Sequence, residues 1–237
     1  MAQDSSVEAK LRRMMVELQQ SKPLSESKTP SVPEQKRQKL PLKHHVLDWK
    51  NRFLLPIEIL VVPWAQFIIS QVFFQGRWHL VVIPRQFSGI PGIFLSAFSH
   101  GSWAHLIGNS VAFAIFSWLI LLKSKKDFWI TFLIGWLGGG LACWLLGPQS
   151  AHGLSGVVYT LFGYLLVIGW LEKRFLPLVA SVFVIVNFSY CVWGVFPTDT
   201  RVAWWSHLFG FLLGVFSAYG VYREPAARKK PISDARG

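Results

Sequence analysis

Polar and apolar residues are segregated along this chain rather than interleaved. Residues 1–50 are rich in Ser, Gln, Pro and Lys, carry no aromatic before Trp49, and give way after Arg52 to long apolar runs. These cover roughly 54–74, 103–122, 128–147, 155–171, 176–196 and 202–222. Each approaches the ~20 residues a helix needs to cross ~30 Å of hydrocarbon. Glu58 is the one formally charged residue within them. The pattern predicts an all-α membrane protein of six spanning helices, the first kinked or distorted at Pro56 and Pro63. The stretch over 75–102 is too aromatic and aliphatic for a plain loop and is expected to lie in the membrane interface or re-enter it. Residues 1–50 read as a disordered or weakly helical extension, with a short helix over roughly 7–20 supported by Leu11, Met14, Met15 and Leu18. No cleavable signal peptide is expected. The division expected is a basic extension over 1–50, a six-helix body over 51–222 and a basic tail over 223–237.

Composition agrees with that pattern. Charged residues are 15% of the 237, against about 25% in soluble domains, and the mean hydropathy is +0.37. The net charge of +12 raises nucleic acid as a partner, but the basic residues sit between apolar runs, so the lipid bilayer is the expected partner and nucleic acid is not. Of the 24 Lys and Arg, 21 fall in alternate connections and termini, and only Arg77, Arg85 and Arg201 fall in the others. The positive-inside rule therefore places both termini in the cytosol. Cys143 and Cys191 lie inside apolar runs, which implies neither a disulfide framework nor a metal cluster. No cofactor is expected.

Polar side chains inside spans are functional candidates. Spans two, four and six all run inward from the outer face. His105 and Asn109 open the second, Ser155 opens the fourth, and His207 lies about five residues into the sixth. At 1.5 Å per residue the three helices deliver these groups within ~5–10 Å of one boundary. His105 and Asn109 share a face at i, i+4, as do Ser155, Tyr159 and Gly163. His207, Gly210 and Gly214 follow at i, i+3 and i+7, where small residues let two backbones approach closely. The Gly153-Leu154-Ser155-Gly156 turn sets a hydroxyl at a helix N-terminus, where free N–H groups can hold a developing oxyanion. His100 reads as an interfacial or capping residue, His152 as a loop residue with or without a supporting role, and Glu58 and Asn187 as buried structural groups with local partners.

Taken together these residues resemble the rhomboid family of intramembrane serine proteases. The resemblance rests on His100-x4-His105-x3-Asn109, on Gly153-Leu154-Ser155-Gly156-Val157-Val158-Tyr159 and on His207-x2-Gly210-x3-Gly214. Ile83-Pro84-Arg85 through Gly92 and Phe98-Ser99-His100 add to it, and it spans roughly 54–222. One departure is Arg77-Trp78, which stands in reverse order to the Trp-Arg pair common in the family, so no role is carried to it. The resemblance implies a six-helix rhomboid-like bundle and a Ser155–His207 dyad without a third carboxylate, Asp199 being the one acid near His207 in sequence. It also implies His105, Asn109 and the Ser155 N–H as oxyanion donors, and Tyr159 as packing partner of the imidazole, with Gly153, Gly210 and Gly214 in support. Substrates would be the transmembrane segments of other membrane proteins, with the fifth span and the loop from Phe196 to Trp204 as the gate. A bacterial inner membrane is the expected location; oligomeric state stays open.

Two other classes compete. A catalytically dead relative that recruits membrane clients predicts loss of Ser155 or His207, and both are present. A metal or small-solute transporter could use His100, His105, His152 and His207 as ligands, but leaves the Gly-x-Ser-Gly turn unexplained. Paired intramembrane Asp and H-E-x-x-H chemistries fail because neither pattern occurs.

Overall fold

The computed structural model describes residues 12–16, 42–197 and 202–227. The chain divides into two units, Met1–Pro41 and Leu42–Gly237. In the first, residues 12–16 form a turn of helix with exposed side chains; the rest of the helix expected over 7–20 lies outside the described residues.

The second unit is helical throughout. α1 (Leu42–Phe74) contains Pro56 and Pro63 and starts well before the apolar run that announced it. The segment that follows holds a 3-10 turn at Phe87–Gly89, the short helix α2 (Ile90–Leu95) and a second 3-10 turn at Ser96–Phe98. α3 (Trp103–Lys123) is capped by Ser102, whose hydroxyl accepts from the His105 N–H. α4 (Lys125–Leu146) is α-helical except for a π turn at Ile134–Gly138. α5 (Ser155–Glu172) ends on Lys173 in the left-handed conformation. α6 (Phe175–Phe188) continues as a 3-10 turn over Ser189–Val195, and α7 (Trp204–Ala227) completes the described chain. Among the described residues β pairing is confined to one bridge between Val82 and Ala151.

Among the described residues five helices are long and apolar enough to cross a membrane: Trp49–Phe74 of α1, α3, α4, α5, and α6 with its 3-10 extension. The sixth expected span, α7, is a helix of 24 residues but is not one of those five. Trp204, Trp205, Ser206 and His207 open it and three glycines interrupt it, so its mean hydropathy is lower.

α5 is the central helix, with 61% of its most apolar window buried against 22–44% for the other four spans. It is apolar on every side, as a helix enclosed by others must be. Leu161, Phe162, Tyr164 and Leu165 pack there against Phe116 and Phe128. The outer surface is apolar instead: Val72, Phe73, Phe175 and Val186 stand exposed. That inversion suits a chain surrounded by hydrocarbon. It also corrects two expectations, because Glu58 and Asn187 are exposed rather than buried. Asn187 Nδ2 donates to Phe183 O one turn back.

At the end of α5 opposite Ser155 a polar network ties three helices together. Lys123 Nζ pairs with Asp127 and with Glu172 Oε1 at 2.6 Å, and donates to Tyr164 Oη at 2.9 Å. The Tyr164 hydroxyl donates to Asp127 Oδ2 at 2.7 Å. Lys123 thus stands between two carboxylates at the margin of an apolar core, where burial favours pairing.

Candidate active site

Three local features of the sequence build the site. The first is the turn that opens α5. Gly153 has φ +116°, a conformation side chains rarely tolerate, and a Cβ there would also run into the His105 ring. Its N–H donates to Ser96 O at 2.8 Å, and the preceding Ala151 exchanges backbone hydrogen bonds with Val82. The segment after α1 thus holds the turn in place, with Ser155 as the first residue of the helix and 9% exposed.

The second feature is the entrance to α3. His100 is 1% exposed, which corrects the expectation of an interfacial residue. Its Nε2 lies 3.1 Å from Asn109 Nδ2 and 3.4 Å from the Leu154 N–H. Both partners are donors, so Nε2 is the unprotonated nitrogen and the ring proton sits on Nδ1. Burial first, then the neighbouring His105 and His152, pushes the His100 pKa down to about 3. A neutral imidazole therefore links the Asn109 amide to the peptide just before Ser155. The His105 ring stands edge-on to His100 with centroids 4.9 Å apart, and His152 lies 6.2 Å beyond. The half-buried His152 ring lies tilted by 30° against that of exposed His79, with centroids 5.3 Å apart. Its pKa is pushed down to about 4 by burial, then by His79 and His105.

The third feature is the contact of α5 with α7. Gly210 packs against the backbone of Gly156, and Gly214 against the carbonyl of Thr160, so closely that a Cβ at either glycine would overlap. This approach lays the His207 ring on that of Tyr159, with centroids 4.2 Å apart and planes 7° from parallel. His207 Nδ1 lies 2.9 Å from Gly194 O. A carbonyl only accepts, so Nδ1 carries the proton and Nε2 is left as the basic nitrogen. The Tyr159 hydroxyl donates to Cys191 O at 2.9 Å. Ser155 stands one turn before Tyr159 on the same face of α5, on the side where His207 lies.

The structure thus brings Ser155, Tyr159, His207, Gly210 and Gly214 to one helix pair, and His105, Asn109 and Gly153 to a second cluster joined to the first through the Ser155 turn. The Ser155 hydroxyl makes no hydrogen bond among the described residues; such contacts commonly tighten only when substrate is bound. Asp199 and residues 198–201 of the loop proposed as a gate lie outside the described residues. Among the described residues no group of three or more His, Cys, Asp and Glu side chains is arranged to hold a metal ion, so the four-imidazole transporter site has no geometric support. Sequence reasoning missed the carbonyls of Gly194 and Cys191, which no side-chain signal marks. It also missed the position of His100 in the cluster, because on one continuous helix nine residues would set it on the opposite face from Asn109. Behind Ser155 a cavity of about 20 Å³, lined by Ser96, Cys143, His152, Gly153 and Ser206, has room for about one water.

Comparison with known proteins adds a family. The family model described as Rhomboid domain matches residues 88–224, more than half of the chain, leaving α1 outside the match. An uncharacterized protein of Mycobacterium leprae is 29% identical over 155 residues, 61% of this chain and 61% of that protein. Uncharacterized proteins of Mycobacterium bovis and Mycobacterium tuberculosis are each 29% identical over 147 residues, 57% of this chain and 61% of theirs. The matches thus span about three-fifths of the length of these relatives.

Proposed function

Because this chain belongs to the rhomboid family, a family of intramembrane serine proteases, we propose that it hydrolyses peptide bonds within or beside transmembrane segments of other membrane proteins, with Ser155 as nucleophile and His207 as base. The observation that carries this reading is the clamp on His207. One nitrogen is held by Gly194 O and one ring face is covered by Tyr159, so Nε2 is fixed as the proton acceptor on the Ser155 side. No carboxylate is needed to set the tautomer, because the carbonyl does so.

The steps follow from those positions. His207 Nε2 takes the Ser155 hydroxyl proton as Oγ attacks the scissile carbonyl carbon. The oxyanion develops where the Ser155 N–H at the start of α5, the free N–H of the Asn109 amide and a His105 ring N–H converge. His207 then gives its proton to the leaving amine as the C–N bond breaks, leaving an acyl-Ser155. A water, drawn from the space behind Ser155, loses its proton to His207 and adds to the ester. Collapse returns the proton to Ser155 Oγ and releases the carboxylate product. The bilayer is the medium, both termini are cytosolic and the membrane is a bacterial inner membrane. The substrate is a membrane protein presenting its segment at the outer end of α3, α5 and α7.

The test uses full-length protein in detergent, a fluorogenic transmembrane-segment substrate and a fluorophosphonate probe read by mass spectrometry. Cleavage and labelling at Ser155, both lost in Ser155→Ala and cleavage lost in His207→Ala, are expected. A folded wild type that neither cleaves nor labels would overturn the reading and leave client recruitment in its place.

A further inference from the structure

We propose that the groove between α1 and α3 is a binding site for one anionic phospholipid, its headgroup at Arg52 and its acyl chains running along α1 toward Trp64. The inference rests on the chain spanning a membrane, and it concerns the leaflet at the end of the bundle away from Ser155. Two adjoining cavities share Trp118. The smaller is lined by Trp49, Arg52, Phe53 and Leu122; the larger, of about 800 Å³, is lined by Ile57, Val61, Ala65, Ile68, Val111 and Ile115. From Ile57 to Ile68 the helix rises roughly 16 Å, about half the ~30 Å hydrocarbon core and so the depth of one leaflet.

Chemistry at the two ends matches the two ends of a lipid. Arg52 lies 5.4 Å over the Trp49 ring and donates to Leu121 O near the end of α3 at 3.2 Å, so its guanidinium sits beside the mouth of the groove. Trp118 Nε1 donates to Phe53 O at 3.0 Å, an aromatic placed at the level where such rings favour the headgroup boundary. Beyond that level the lining is aliphatic. Trp64 Nε1 donates to Ser110 Oγ at 3.0 Å and holds the two helices together there, leaving a shallow channel. Such a channel fits extended chains rather than a partner helix about 10 Å across. An anionic headgroup is favoured because a cation at the mouth of the groove attracts a lipid of net negative charge more than a zwitterionic one, by about 1 kcal/mol per basic residue.

The experiment is native mass spectrometry of full-length protein released from detergent containing equal phosphatidylglycerol and phosphatidylcholine. It is run on wild type and on Ser155→Ala so that the readout does not depend on catalysis. One retained phosphatidylglycerol is expected. Its occupancy should fall about fivefold in Arg52→Gln, the effect of one basic contact at a headgroup, and return in Arg52→Lys. Ala65→Trp, which fills the groove without touching charge, should reduce it as well, while Arg174→Gln, outside the groove, should not. Equal retention of the two lipids, or an equal loss in Arg174→Gln, would overturn the site. So would unchanged lipid in Ala65→Trp together with crosslinking of a substrate helix at Ala65→Cys, which would assign the groove to a protein partner.

Discussion

Tyr159 covers one face of His207 as a nearly parallel lid, the two rings 4.2 Å apart, and its hydroxyl is tied to Cys191 O. The His207 imidazole is thus oriented by a phenol and a backbone carbonyl. Ring stacking contributes about 0.5–1.5 kcal/mol and a neutral hydrogen bond about 1 kcal/mol. Tyr159→Phe, which keeps the stack and loses the tether, is expected to lower kcat by up to about fivefold. Tyr159→Ala should lower it by one to two orders of magnitude, with substrate KM little changed. Steady-state cleavage by purified variants separates the two.

Gly194 has a sharper requirement. A methyl group there would overlap the Tyr159 hydroxyl and lie against His207 Nδ1, so Gly194→Ala should displace the carbonyl that fixes the tautomer. Activity is expected to fall at least tenfold while the unfolding temperature moves by only a few degrees, as read by thermal unfolding and cleavage on the same sample.

Asn109→Ala removes one of the proposed oxyanion donors and, with it, one of the two donors to His100 Nε2. A loss of about 10²–10³ in kcat is expected. Labelling by a small fluorophosphonate should fall with it, because the oxyanion position serves both reactions. Undiminished labelling would place the oxyanion elsewhere.

The buried imidazoles set a stability profile. Folded His152 titrates at about 4 and His100 at about 3, against 6.5 when exposed. Between those values the unfolded chain binds more protons than the folded one, so stability falls as pH is lowered. The contribution is complete above pH ~6.5 and is lost progressively toward pH 4 for His152 and pH 3 for His100. His152→Asn is expected to flatten part of the slope between pH 6.5 and 4 in thermal melts.

Lys123→Met should be the most destabilising of these changes. It leaves Asp127 and Glu172 without their shared cation, and breaking a buried pair costs about 3–5 kcal/mol. A large drop in unfolding temperature, largely restored when Asp127→Asn and Glu172→Gln are added, would show that unbalanced charge is the cause.

Much of this architecture was legible in the sequence because membrane helices declare themselves by length and composition. The pairing of His105 with Asn109 and of Ser155 with Tyr159 followed from helical period alone. What was not legible had no side-chain signature. The carbonyls of Gly194 and Cys191 act through backbone, and their position depends on how a 3-10 turn ends α6. His100 was misread because its spacing from His105 points it away on one continuous helix, whereas α3 begins only at Trp103 and the residues before it are free to turn inward. Glu58 and Asn187 were expected inside because they are polar. Hydrophobicity cannot say which face of a spanning helix meets its neighbours when the surroundings are apolar too.

The π turn in α4 bears on how this chain tolerates changes of length. An i→i+5 turn accommodates one residue more than the α-helix around it. It sets Gly135 against Thr160 of α5 on one side of the wide turn, and Gly140 against the Ile93 carbonyl of α2 on the other. Deleting a single residue within 134–138 would let α4 close into a regular helix, the wide turn giving up its extra residue while the helix beyond keeps its phase. Gly140 would stay against the Ile93 carbonyl of α2. A one-residue gap at this point is therefore absorbed by the turn, whereas the same gap in the regular helix on either side would rotate everything beyond it by about 100°.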